Sequence, residues 1–209
     1  STAKKEGNWT IRINSSKQYF VSNDTTWQNR FWLKNIQPVN ISVPSVTPSS
    51  GGWSRLYNYS IELNDTEGDN LTCMLYINRT GSFEYKGNMT VTNTQTAKNC
   101  SVVVHDFTCA MQGTHQFFFT VLDDDEPNNT FNTSVINGPV IGESAVSITY
   151  IQGNNTVVNR SGTNTTSFII LVNDTENGTV VQNANATFWV TTDGSNYGTS
   201  LYNQTNSTG

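Results

Sequence analysis

A period of two runs through this chain and constrains it more than any other feature. In residues 57–63, Tyr57, Tyr59, Ile61 and Leu63 share one parity, while Asn58, Ser60 and Glu62 share the other. In residues 70–78, Leu71, Cys73, Leu75 and Ile77 line one face, and Asn70, Thr72 and Asn78 fall on the opposite one. Successive side chains leave opposite faces of a pleated strand, so this alternation describes strands with one face in a core and one in water. Further strands are expected at 9–13, 27–33, 83–85, 89–91, 100–105, 115–122, 146–151, 168–172 and 186–190. Asn, Asp, Gly, Ser and Pro separate them at the intervals of an all-β sandwich. No 11-residue window places apolar residues at i, i+3, i+4 and i+7, so helix is expected to be nearly absent.

Two breaks in composition divide the chain. Residues 43–52, Val-Pro-Ser-Val-Thr-Pro-Ser-Ser-Gly-Gly, read as a loop, and 137–142, Asn-Gly-Pro-Val-Ile-Gly, as an interdomain joint. Residues 38–142 suffice for one sandwich of roughly 100 residues, whereas 143–209 fall short of one and read as a partial domain. The N-terminal segment 1–37 has a length close to that shortfall. Three arrangements follow. The chain is a window onto a longer tandem array, or segment 1–37 completes the sandwich of a neighbouring subunit, or it packs back in its own chain. Donation to a neighbour is head-to-tail association, which does not close and therefore builds a filament.

Charge narrows the partners. Charged residues make up 13 % of the chain, about half the roughly 25 % usual in soluble domains. The net charge of −5 and the scatter of the eleven Lys and Arg residues exclude nucleic acid, which demands clustered cations. No apolar run approaches the roughly 20 residues of a membrane span, and no stretch reads as a signal peptide, which a mature chain would lack in any case. Aromatic residues at 11 % argue against disorder. A folded surface with so little charge needs another solubilising layer.

N-glycosylation sequons supply it. The transferase requires Asn, any residue but Pro, then Ser or Thr, whose hydroxyl helps present the amide in an extended or turn segment. Matches in the first half are Asn8, Asn14, Asn23, Asn40, Asn58, Asn64, Asn70, Asn78, Asn88 and Asn99. The second half has Asn128, Asn132, Asn154, Asn159, Asn164, Asn173, Asn177, Asn185, Asn203 and Asn206. These are 20 of 28 asparagines, and chance placement among the Ser and Thr of this chain would give about seven. Asn58, Asn70 and Asn78 also sit on the strand faces assigned to water. Two independent signals agree there, and they point to a glycosylated, extracellular or cell-surface protein.

Three cysteines leave one over. Cys100 and Cys109 bracket a strand-like segment, a separation that suits a bridge between a strand and its return, worth about 2–3 kcal/mol. Cys73 shares the parity of Leu71, Leu75 and Ile77 and reads as a small buried apolar group. Their spacing makes neither a zinc signature nor a C-x-x-C redox motif.

Catalysis finds little footing, and the chain reads as no enzyme. His105 and His115 are the two histidines, without an H-E-x-x-H motif, and no serine lies in a G-x-S-x-G turn. Glu62, Asp65, Glu67 and Asp69 cluster in one turn, where acidic residues are ordinary. No cofactor is implied beyond glycans, with calcium as the remaining candidate. Asp123, Asp124 and Asp125, followed by Glu126, close a strand and offer carboxylate oxygens of the kind hard cations want. Asp65, Glu67 and Asp69 form a second such cluster. The plainer alternative for both is a solvated turn whose carboxylates cap backbone amides. Strict alternation through Phe117, Phe118 and Phe119 sends Phe118 outward, either to a partner or sugar or beneath a covering loop or glycan. Trp53 and Trp189 are further exposed-aromatic candidates.

Residues 173–194 resemble the core of an invasin-type Ig-like repeat. The resemblance rests on Asp174, Gly178, Val180 or Val181, Ala184, Thr187-Phe188, Val190 and Asp193-Gly194. Such repeats continue with further strands, which implies that the C-terminal domain is incomplete in this chain. Residues 57–76 and 113–125 resemble PKD- or cadherin-like repeats. With the sequon density, the whole resembles archaeal cell-surface glycoproteins, including S-layer and thread-like filament subunits. The implied fold is a set of tandem Ig-like β-sandwich domains. The implied role is structural, with self-association into a polymer or lattice. An adhesin or receptor ectodomain, binding a glycan or protein through its loops, is the alternative.

Overall fold

The computed structural model describes residues 7–33, 39–40, 42–66, 68–123, 130–153, 155–159, 162–163 and 165–209, excluding the side chains of residues 7, 8, 31–33, 39 and 40. Among these the protein is all-β, with one short 3-10 turn at Cys109–Met111. The strands are β1 (Gly7–Ser15), β2 (Asn23–Leu33), β3 (Val39–Asn40), β4 (Ser45–Thr47), β5 (Ser50–Gly52), β6 (Tyr57–Asn64), β7 (Leu71–Asn78) and β8 (Phe83–Val91). They continue as β9 (Lys98–Val104), β10 (Gly113–Asp123), β11 (Thr130–Asn132), β12 (Ile136–Gly142), β13 (Val146–Gln152), β14 (Ile169–Asp174), β15 (Asn185–Phe188) and β16 (Leu201–Gln204). No helix among the described residues is long and apolar enough to cross a membrane.

The chain divides into two units. The first takes Ser1–Ser49, Tyr57–Val104 and Thr114–Pro139, and the second Ser50–Leu56, His105–Gly113 and Val140–Gly209. In the first, β6 pairs with β9 on one edge and with β3 and β4 on the other. The facing sheet runs β12-β10-β7-β8, with β11 also against β10. This is an immunoglobulin-like sandwich. Strands β6 and β9 take the B and E places, β7, β10 and β12 the C, F and G places, and β8 extends the second sheet beside β7.

Alternation makes its core. Tyr57, Tyr59, Ile61 and Leu63 from β6 are buried against Leu71, Cys73, Leu75 and Ile77 from β7 and Phe117, Phe119 and Val121 from β10. Each buried side chain of this size contributes about 1.5–3 kcal/mol. Tyr59 and Phe117, from opposite sheets, meet edge to face with ring centroids 4.9 Å apart. The residues between them turn to the outer faces, as the sequence parity requires.

The cysteine pairing differs from the expectation. Cys73 on β7 is bonded to Cys100 on β9, with Cα atoms 6.5 Å apart, and Cys109 is a free, exposed thiol. The Cys100–Cys109 bridge is therefore corrected. Both bonded residues point inward from facing sheets, whereas β9 ends at Val104 and the segment holding Cys109 belongs to the second unit. Cys73 is buried as its parity implied, but as half of a bridge.

Three local readings change as well. Residues 43–52 contain β4, paired in the first sheet, and β5 rather than only a loop. Residues 137–142 are strand β12 rather than irregular chain, and the division between the two units falls within them, between Pro139 and Val140. The short strands expected at 83–85 and 89–91 are one strand, β8, interrupted by a register shift opposite Leu75 and Tyr76. Segment 1–37 contains a hairpin in which β1 and β2 pair with each other from Gly7↔Leu33 to Ser15↔Asn23.

In the second unit β5 pairs in parallel with Val140–Gly142. Gly52 is needed there, since a Cβ would come 2.6 Å from the Ser144 Cα. The hydroxyls of Ser54 and Ser144 meet at 2.8 Å, and Arg55 pairs with Glu176 at 3.3 Å. Strands β13 with β14, and β15 with β16, form two separate two-stranded sheets.

The disulfide closes a loop of 27 residues, so its removal is expected to cost about 3–4 kcal/mol. Urea unfolding of the Cys73→Ala, Cys100→Ala double variant measures that loss. Alkylation of the native protein should label Cys109 alone, and a Cys100–Cys109 linked peptide in a mass map would overturn the pairing.

Candidate functional site

The sequon asparagines form the most extended candidate surface. Of those with described side chains, Asn14, Asn23, Asn58, Asn70, Asn88, Asn99, Asn132, Asn159, Asn177, Asn185, Asn203 and Asn206 are exposed. Asn64, Asn78 and Asn173 are half-buried, and none is buried. The side chains of Asn8, Asn40, Asn128, Asn154 and Asn164 lie outside the described residues. Two sequons already hold the turn in which the hydroxyl presents the amide. The Asn177 Oδ1 accepts from the Thr179 backbone N–H at 2.9 Å and hydroxyl at 2.7 Å, and Asn206 does the same with Thr208 at 2.8 and 2.7 Å. Their Nδ2 groups are left for a sugar. Asn64 is different. Its Nδ2 donates to the carbonyls of Thr94 and Gln95, so glycosylation there would cost one of two backbone contacts.

The acidic residues converge more than the sequence indicated. Asp65 follows β6, Asp69 precedes β7, and Asp123 ends β10, opposite Leu71. One carboxylate oxygen from each lies within 4.8 Å of the others. Asp65 and Asp123 are buried, at 1 % and 2 % exposure, and Asp69 is half-buried. The turn is held by the Asp65 N–H donating to the Thr94 carbonyl at 2.9 Å and the Gly68 N–H to the Asp65 carbonyl at 3.3 Å. The two candidate clusters thus contribute to one place. An all-carboxylate set suits a hard cation such as calcium rather than zinc or copper. Calcium takes six to eight oxygens, so backbone carbonyls and water would have to complete the shell. Glu67, Asp124, Asp125 and Glu126 lie outside the described residues.

The remaining candidates are dispersed. His105 is exposed, while His115 is buried with its Nδ1 3.2 Å from the Asn78 carbonyl, as a strand histidine satisfied by backbone. Glu62 is exposed on the outer face of β6. Trp53 is half-buried and Trp189 is 57 % exposed. Phe118 faces outward but is covered by neighbouring rings: it stacks on Tyr76 at 5.1 Å and meets Phe83 edge-on at 4.9 Å. Sequence reasoning did not foresee that cover, which comes from cross-strand pairing.

Asp193 organises the turn after β15. Its Oδ1 accepts from the backbone N–H groups of Asn196 at 2.8 Å and Ser195 at 2.9 Å. The Asn196 N–H, then the Asn196 side chain, Ser195 and Thr191, hold this exposed carboxyl well below the usual carboxylate range.

No family model matches the chain, and no curated protein matches it. Solved structures that resemble it include Salmonella alpha-2-macroglobulin reacted with methylamine, with TM-score 0.36 and 8 % identity. The Y1175G mutant of that protein gives 0.35 and 8 %. The native conformation of E. coli alpha-2-macroglobulin gives 0.33 and 12 %. Each match covers 95 % of this chain but only 15 % of the other. A likeness at this level assigns neither family nor function.

Calcium titration followed by thermal unfolding tests the acidic cluster. A cation held by the three carboxylates raises Tm in the native protein and leaves Asp123→Asn unmoved. An equal response from both identifies an ordinary capped turn. Because the folded-state pKa of Asp193 is depressed, its contribution is present above the ordinary carboxylate pKa and is lost as pH falls through the lowered value. The Ser195 and Asn196 amide NMR shifts should therefore persist at about pH 3, below the ordinary Asp value of about 3.9, and collapse only in stronger acid.

Proposed function

We propose that this chain is part of an extracellular, N-glycosylated structural protein whose subunits associate into a surface layer or filament, as its resemblance to archaeal surface glycoproteins implies. Strand β13 carries the self-association. All seven of its residues are exposed, among them Val146, Ile148, Tyr150 and Ile151, and none is a sequon asparagine. A strand of this composition presents unpaired N–H and C=O groups beside apolar side chains, and that combination recruits another strand. Elsewhere the described sequons lie outside the core, so a glycan coat would shield the other faces and leave this strand as the point of joining.

The hairpin of β1 and β2 is the candidate donor. Its strands satisfy each other along one edge and keep their outer edges for a partner, and Trp9, Ile13 and Trp27 are 37–49 % exposed. The disulfide between Cys73 and Cys100 supports an oxidising compartment, since such bonds persist outside the cytosol.

Native mass and electron microscopy of the glycosylated protein test this reading. The wild type is expected to form an ordered polymer, and Ile148→Lys to remain monomeric with an unchanged melting temperature. Deletion of residues 1–37 abolishes assembly if that segment is the donor, and unchanged polymerisation assigns joining to another edge. A monomeric wild type with a free tip would favour an adhesin or receptor instead.

A further inference from the structure

We propose that Asn88 carries an N-linked glycan whose first sugar ring packs on an aromatic platform made by Tyr85, Tyr76, Phe118 and Phe83. The inference rests on the glycosylated reading above and goes further in naming the site and the surface that receives the sugar. In a regular strand Tyr85 and Asn88, three residues apart, would leave opposite faces. The register shift in β8 prevents this: Tyr85 pairs with Tyr76, Gly87 with Leu75 and Asn88 with Met74. Leu75 is buried while Tyr76 and Met74 are on the outward parity, so Tyr85 and Asn88 share the outer face of the sheet. The bulge favours glycine at position 87, where φ is 156° and a Cβ would come 3.0 Å from the Val102 Cγ1.

The rings form a continuous surface. Phe118 stacks on Tyr76 with an interplanar angle of 8°, Phe83 meets Phe118 edge-on, and Tyr85 lies 5.8 Å from Tyr76. Tyr85 is 51 % and Phe83 39 % exposed, leaving apolar ring surface in water. The Asn88 Nδ2 donates to the Tyr85 hydroxyl at 2.8 Å, which puts the nitrogen that would bear the sugar at the edge of that surface. In the transfer, the Nδ2–C1 bond forms as the bond from C1 to the phosphate oxygen of a lipid-linked oligosaccharide breaks. The phosphate leaves with the bonding electron pair, and one amide proton passes to a base of the transferase. The other N–H remains and keeps the Tyr85 bond. A pyranose presents C–H groups on its flat face, the complement of the negative face of an aromatic ring.

Peptide mass mapping of the natively produced protein, followed by NMR of the glycoprotein, tests the proposal. The expected result is an occupied Asn88 whose first-sugar C–H protons are shifted upfield by ring currents, with the shift lost in Tyr85→Ala. In thermal unfolding, Asn88→Gln should lower Tm by about 2–4 °C beside Tyr85 and by far less in the Tyr85→Ala background. A bare Asn88 among other occupied sequons, or an occupied one with unshifted sugar protons, overturns the inference and leaves the glycosylated reading standing. Absence of sugar from every asparagine overturns that reading itself.

Discussion

Everything in the first unit depends on the burial of two facing apolar surfaces. Strand β6 presents four large inward side chains and β7 three beside Cys73, and Phe117, Phe119 and Val121 fill the space between the sheets. Few of the chain's interactions rival this. Surface ion pairs are sparse in so weakly charged a sequence, and exposed pairs add little in any case. The Cys73–Cys100 bond ties the two sheets from within the same core. Once the sheets are closed on each other, the turn between β6 and β7 and the end of β10 have fixed positions, and the three aspartates meet there.

The second unit shows what happens when that constraint is met less fully. Its described strands form small paired sheets, and β13 leaves its apolar side chains in water. Exposed apolar surface of this kind marks interaction sites, and the proposed assembly rests on it. On the proposed reading, the sequons and the aromatic face of the first unit belong to an exterior divided between faces that would bear sugar and strands that would join.

Much of the fold was legible in particular residues. The parity of Tyr57 to Leu63 and of Leu71 to Ile77 assigned inner and outer faces correctly, and Phe117 and Phe119 are inside as alternation required. The segments that escaped were those whose pairing is decided elsewhere. Ser45–Thr47 lies between Pro44 and Pro48, and Ile136–Gly142 contains Gly138 and Pro139, yet both become strands because β6 and β10 offer them edges. Tyr85 and Asn88 escaped because a bulge changes parity without leaving a mark in hydrophobic pattern. Of the candidate metal site, the acidic residues were visible as two runs, and their meeting was not.

The sequence alone determined that the chain is built of strands, which face of β6, β7 and β10 is apolar, and where sugar could be attached. All three are local properties, set by a period of two residues or a motif of three. Which cysteines bond, which carboxylates converge and which aromatic rings stack were decided only by the tertiary structure. Cys73 lies 27 residues from Cys100, and Asp123 more than 50 from Asp65 and Asp69; how the two sheets pack brings them together, rather than anything within reach along the chain.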